Sequence, residues 1–254
     1  MQQDLEKALL SAVDTTIQEA KVAVAFSGGI DSSLLAKVCQ KLGKDVTLLT
    51  IGFPRSHDIE FSKKISALME LPHKISLLDS LNFQKTLADI REKIGCSNTS
   101  HIENCVAFSF IAGLAKESGL DNVLTANGCD ELFCGYNGYR LVFDLGKEAI
   151  EKFMDEKIAN EFDLMAEISR ITEQVGVRVR QPFLSSAFID FAKTIPIEHK
   201  INGKDDLLRK HILRQVALSI GVPEEAAMKP KKAIQYGSLI HKHFKAQQKQ
   251  RRRM

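Results

Sequence analysis

The apolar positions of the first half of the chain alternate between two spacings. "VAVAF" (Val22–Phe26), "DVTLLTIGF" (Asp45–Phe53), "HKISLLD" (His73–Asp79) and "DNVLTAN" (Asp121–Asn127) are short apolar, partly β-branched runs, the pattern of strands covered on both faces. Between them the period becomes helical. A first helix is expected from Asp4 to about Ala20; "DSSLLAKVCQKLG" carries Leu34, Leu35, Val38 and Leu42 at helical spacing and stops at Gly43. Further helical patterns run around Asp58–Met69, Leu81–Ile94 and Glu103–Glu117. Strands that alternate with helices of this length imply right-handed crossovers. The expected class is therefore α/β, a doubly wound, mostly parallel sheet whose ligand lies at the carboxyl ends of the strands. After about Gly146 the pattern is helical, through "KEAIEKFMDEKIANEFDLMAEISRITEQV", "SSAFIDFAKTI" and "KDDLLRKHILRQVALSIG". The predicted organisation is an α/β core over residues 1–146, a helical cap over 147–240 that completes the site, and a disordered basic tail over 241–254.

The chemistry begins where the first strand ends. "FSGGIDSS" places Gly28 and Gly29 between a strand and a helix, where backbone N–H groups can approach a ligand and the helix directs its positive end at the same place. That predicts an anion site. Ser27, Ser32 and Ser33 add hydroxyl donors, whereas Asp31 would repel a bare phosphate and fits one bridged by a divalent cation. There is no G-x-x-x-x-G-K-[ST] and no G-x-G-x-x-G followed by a ribose-binding acid. The loop resembles instead the pyrophosphate loop of the ATP pyrophosphatases, which split ATP to AMP and pyrophosphate.

Composition narrows the setting. With 44% hydrophobic and 26% charged residues the chain has the balance of a globular protein, and its amino terminus lacks a signal-peptide core, so a cytoplasmic location is expected. Five cysteines without a C-x-x-C pair argue against a zinc ribbon or a disulfide framework and read as buried thiols. Residues 241–254 carry six Lys and Arg and no acid; removing them from the formal charge of +3 leaves −3 for residues 1–240. The body is not a basic nucleic-acid binder, and only the tail could touch RNA.

Four further segments resemble one family. "TIGFPRSHDIEFSKKIS", "VLTANGCDELFCGY", "GVRVRQPFLSSAFIDFAKTIP" and "GKDDLLRKHILRQVALSIGVPEEAAMKPKKAIQYGS" follow, in order and spacing, the motifs of the synthetase domain of asparagine synthetases and relatives such as β-lactam synthetase. The register holds from about Val22 to Ser238. The resemblance implies ATP and Mg²⁺ as cofactors. It implies that Ser27, Gly28, Gly29, Asp31 and Ser32 hold pyrophosphate, that Asp31 and Asp130 share the metal, and that the backbone near Ile51 reads adenine. Gly128 joins the nucleotide-binding set, Lys231 is the catalytic lysine, and Glu131 is structural support; Arg209 and Lys204 are further candidate phosphate or substrate contacts. His57, His101, His199, His211, His241 and His243 show no ligand spacing and read as surface or satisfied core residues.

The departures fall in the acceptor half. Asn127 stands where asparagine synthetases carry a glutamate, Arg178 replaces the acid of E-x-R, Ser185 the aspartate of P-F-L-D, and Cys134 a glycine. No glutaminase domain precedes the first strand, so nitrogen is expected from ammonia, a separate glutaminase subunit or another amine. The leading expectation is an AMP-forming, amide-forming ligase that adenylates aspartate or a related carboxylate. The alternatives are a tRNA-modifying ATP pyrophosphatase, and a nucleotide-binding relative without ligase activity.

Overall fold

The computed structural model describes residues 1–95, 98–230 and 233–251. Its first half runs α1 (Gln2–Thr16), β1 (Lys21–Ala25), α2 (Ile30–Lys41), β2 (Asp45–Gly52), α3 (His57–Met69), β3 (His73–Leu77), α4 (Ser80–Ile94), α5 (Thr99–Glu117), β4 (Asn122–Leu124), α6 (Cys129–Leu132) and α7 (Asn137–Val142). The second half runs α8 (Lys147–Thr172), β5 (Arg178–Arg180), α9 (Ser186–Thr194), α10 (His211–Ser219), α11 (Glu224–Ala227), α12 (Ile234–Gly237) and α13 (Ile240–Arg251). The five strands are parallel in the order β3-β2-β1-β4-β5. The order reverses at β1, so a crevice opens at the carboxyl ends of β1 and β4, where such sheets hold their ligands.

The alternation of side chains along each strand divides the core into two layers. Val22 and Val24 of β1 and Val46 and Leu48 of β2 pack against α1, α2, α9 and α10, whereas Ala23, Leu49 and Ile51 face α4, α5 and α8. Leu34, Leu35 and Leu48 are fully shielded, and burying each such side chain contributes about 1.5–3 kcal/mol. Local signals place the helix ends. The Asp79 carboxylate accepts from Leu81 N and Asn82 N, both at 2.9 Å, and so caps α4, while Gly95 at φ +60 ends it.

Three details differ from the sequence reading. The first helix stops at Thr16, because Ile17 is already extended and its buried side chain enters the core. The segment read as a helical cap supplies β5, whose register pairs Val179 with Val123, so the sheet draws a strand from within residues 147–240. The supposedly disordered tail is helical through Arg251: Ile240 and Phe244 are buried, His243 stacks on Phe53 with centroids 3.5 Å apart, and Lys242, Lys245 and Lys249 face solvent. An i, i+4 apolar pair outweighs the charge density of that segment. Cys39, Cys105, Cys129 and Cys134 are buried thiols, as expected; Cys96 lies outside the described residues. Among the described residues no helix is long and apolar enough to cross a membrane.

Candidate functional site

A cavity of about 540 Å³ occupies the crevice at the carboxyl ends of β1, β2 and β4 and is closed from the side by α5 and α8. Its two ends differ in chemistry.

At one end the glycine loop turns into α2. Gly28 has φ +76, and a Cβ there would lie 3.0 Å from the Phe61 ring and 3.2 Å from Ser62 Cα, so only glycine fits the turn. The serines shape the loop as much as they face a ligand. Ser27 N donates to Ser32 Oγ at 3.3 Å, Gly29 N to Ser27 Oγ at 3.3 Å, and Ser32 Oγ to Gly29 O at 3.2 Å. Ser27, Gly29, Asp31, Ser32 and Ile51 all line the cavity, and Asp130 reaches it from α6. Ser33, by contrast, is fully buried and outside the lining.

Asp31 and Asp130, from two separate elements, are joined by a residue the sequence reading passed over. Lys210 Nζ lies 2.7 and 2.6 Å from the two Asp31 oxygens and 2.6 Å from Asp130 Oδ1. The two expected neighbours of Lys210 in sequence serve otherwise. Arg209 is buried and donates through Nε and Nη2 to Gly135 O at 3.2 and 3.0 Å, while Lys204 is exposed and pairs with Asp144. Neither lines the cavity. Gly128 does not line it either. Its φ of +104 and the 2.6 Å that would separate a Cβ from Phe183 O make it a packing glycine, and its N–H donates to Glu131 Oε2 at 3.0 Å. Lys231 lies outside the described residues; Lys229 and Pro230 immediately before it line the cavity.

The opposite end is carboxylate-rich. Asn127 Nδ2 donates to Glu161 Oε1 of α8, and the Thr125 hydroxyl donates to Asn127 Oδ1. Glu131, which also lines the cavity, accepts from Gly128 N and from the Tyr136 hydroxyl. Burial pushes both acids above the usual carboxylate range; for Glu131 the nearby Glu161 charge adds to this, whereas the Asn127 hydrogen bond opposes it at Glu161. The uncharged Asn127 thus has a carboxylate beside it, brought there by α8. Two of the histidines read as surface or satisfied core residues also line this cavity: His57, stacked on Phe61, and the buried His101, whose ring nitrogens meet Glu167 at 3.0 Å and Asn160 at 3.3 Å. Cys134 at φ +58 holds the left-handed conformation for which the family motif uses glycine.

No group of three His, Cys, Asp or Glu among the described residues is arranged around a metal. The Asp31 and Asp130 carboxylates nevertheless form an all-oxygen donor pair beside the serine hydroxyls. That suits a hard cation which completes its shell with phosphate oxygens and water.

The sequence profile of the asparagine synthase family matches residues 4–151 and 150–253. A Methanocaldococcus jannaschii protein assigned as a glutamine-hydrolyzing asparagine synthetase is 29% identical over 92% of this chain and 49% of its own length. Asparagine synthetase B of Escherichia coli is 24% identical over 84% of this chain and 41% of its own. The chain thus spans about half the length of the curated relatives it matches. A solved Methanocaldococcus jannaschii chain, described as a predicted subunit of tRNA methyltransferase, covers 84% of this chain and 94% of its own at 16% identity and a TM-score of 0.40, a likeness too distant to bear on function. With the profile running from residue 4 to residue 253, on a parallel sheet whose switch point carries the glycine loop, the chain belongs to the asparagine synthase family.

Proposed function

We propose that this chain is an ATP-dependent carbon–nitrogen ligase that adenylates a carboxylate, aspartate or a related acid, and passes the acyl group to ammonia or another amine. One observation carries the reading: a single cavity joins a glycine loop with Asp31 and Asp130 at one end to the buried Glu131–Glu161 carboxylates at the other. The relatives are named as asparagine synthetases, which supports an ATP-dependent ligase in general terms.

In the first step a substrate carboxylate oxygen bonds to the α-phosphorus of ATP as the bond to the pyrophosphate oxygen breaks. The loop amides and the end of α2 face the departing pyrophosphate and offset its charge. Mg²⁺, which the Asp31 and Asp130 oxygens would hold, supplies charge neutralisation at the phosphates when bound. Adenine lies against the backbone near Ile51, and Lys231 stabilises the charge that develops at the α-phosphate. In the second step the amine nitrogen bonds to the acyl carbon and AMP leaves with its oxygen. The amine proton passes to Glu161, whose burial raises its basicity above that of an ordinary glutamate. The nitrogen source is ammonia, delivered free or from a separate glutaminase subunit, or another small amine. A cytoplasmic location accords with this chemistry.

The test is pyrophosphate release from Mg²⁺-ATP by the purified chain, screened across amino acids and dicarboxylates with and without ammonium. AMP and pyrophosphate, formed only with a particular acid, are expected. ADP and orthophosphate as products would sink the assignment. Turnover that requires tRNA would replace it with the RNA-modifying reading, and nucleotide binding without any turnover would leave a non-catalytic relative.

A further inference from the structure

Behind Asp31 and Asp130, which line the glycine-loop end of the cavity, lies a buried ammonium. The Lys210 side chain is 1% exposed, and its Nζ is within 2.7 Å of three carboxylate oxygens from Asp31 and Asp130. Its backbone is held in an unfavourable shape to do this. Arg209 and Lys210 are consecutive residues with φ +50 and +56, a conformation that costs on the order of 1–3 kcal/mol for each residue bearing a side chain and persists only where the surroundings enforce it.

The surroundings do enforce it. Asp206 Oδ1 accepts from Leu208 N and Arg209 N at 3.0 and 2.9 Å, and the buried Arg214 donates to Leu208 O and Arg209 O at 2.5 and 2.6 Å. Gly135 leaves the passage through which the lysine reaches its partners: a Cβ there would fall 2.4 Å from Lys210 Cε and 2.0 Å from Asp130 Oδ1. Strained backbone, an obligatory glycine and a buried cation thus converge on one point between the two acids.

That point is where a divalent ion shared by Asp31 and Asp130 would sit. Magnesium needs oxygens at about 2.0–2.1 Å, so an ion in the same gap would be only a few ångströms from Nζ, with like charges opposed in a poorly solvated site. We propose that Lys210 is a resident cation that closes the Asp31–Asp130 pair to divalent metal until nucleotide arrives, so that metal and nucleotide are taken up together. The inference rests on the nucleotide reading above. Phosphate oxygens would offer both the ammonium and the metal new partners, and by linkage each ligand then raises affinity for the other.

The experiment is a titration of the full chain with Mn²⁺, free and bound ion being distinguished by electron paramagnetic resonance. Wild-type protein without nucleotide is expected to take up Mn²⁺ only weakly at this site. A non-hydrolysable ATP analogue should tighten uptake by roughly 5- to 150-fold, the usual range of such coupling. Lys210→Met keeps the stem and removes the charge; it should bind Mn²⁺ without nucleotide, and adding Asp31→Asn should abolish the gained site. Lys210→Gln provides a second variant, and a melting transition restored by Mn²⁺ after loss in chelator counts as the same gain. Mn²⁺ uptake by wild type that is already full without nucleotide and unchanged by bound analogue overturns the proposal, as does a folded Lys210 variant that gains no Mn²⁺. Analogue binding, followed in parallel, reports on the nucleotide reading separately: its absence would sink the ligase assignment while the nucleotide-free comparison still decides the role of Lys210.

Discussion

At the scale of single residues, the carboxylate-rich end of the cavity turns on Glu161. Its carboxylate is buried, receives the Asn127 amide and lines the same cavity as the glycine loop. If it accepts the amine proton, Glu161→Gln should keep ATP binding and adenylation but lose amide formation by about 10²- to 10⁴-fold, the usual contribution of a positioned acid or base. Separate assays of ATP–pyrophosphate exchange and of amide product check this. Exchange and amide formation falling together would make Glu161 structural. In wild type the amide-forming rate should rise with pH through a value above the ordinary glutamate range, since the base must be ionised. Gly135 gives a residue-scale test of architecture. Any Cβ there overlaps Asp130 Oδ1 and Lys210 Cε, so Gly135→Ala should cost about 1–3 kcal/mol, the usual price of overpacking, measurable by denaturant unfolding.

At the scale of elements, α13 shows what charge conceals. Phe244 is buried against the second core layer and Arg91 lies over its ring, 4.9 Å from the centroid, so Phe244→Ala should destabilise by about 3–5 kcal/mol. Lys245→Ala, one position on and exposed, should change stability within about 0.5 kcal/mol. Equal effects in thermal unfolding would mean that α13 does not pack as described. The same contrast explains which elements could be read from the sequence. "VAVAF" and "DVTLLTIGF" announce themselves as strands because parallel pairing buries both faces. In β5, two arginines flank the single buried Val179, and three residues carry no period. Glu161 was legible in principle: it follows Ile158 by three and precedes Leu164 by three within the buried stripe of α8, where an acid demands a reason. Lys210 was not. Its direction is set by two left-handed residues held by Asp206 and Arg214, and no spacing rule anticipates that a side chain one step beyond Arg209 turns inward.

At the scale of the whole molecule, the site's ionisation is coupled to folding, and the sign can be worked out. Glu131 ionises near 4.5 when exposed, and burial, with the Glu161 charge second, raises it in the fold. The folded state therefore holds its proton to higher pH than the unfolded chain does. Over the interval between the two values the native state binds more protons, so stability must fall as pH rises. The contribution is fully present below the unfolded value and is lost as pH climbs through the folded one. Other groups slope differently: burial lowers His73 to about 4 and Lys200 to about 8, and both favour folding as pH rises. The total profile is thus a composite, and the Glu131 contribution is isolated by difference. Glu131→Gln cannot titrate, yet it keeps an amide oxygen to accept from Gly128 N. At pH 5 it should be no more stable than wild type, because the protonated glutamate there carries no desolvated charge. Raising the pH to 8 should shift the balance toward the variant, while the slopes from His73 and Lys200 cancel in the comparison. Paired melting temperatures across that range check it, and a difference between the two proteins that stays constant with pH would show that Glu131 is ionised throughout and that the buried carboxylate pair is not proton-linked to folding.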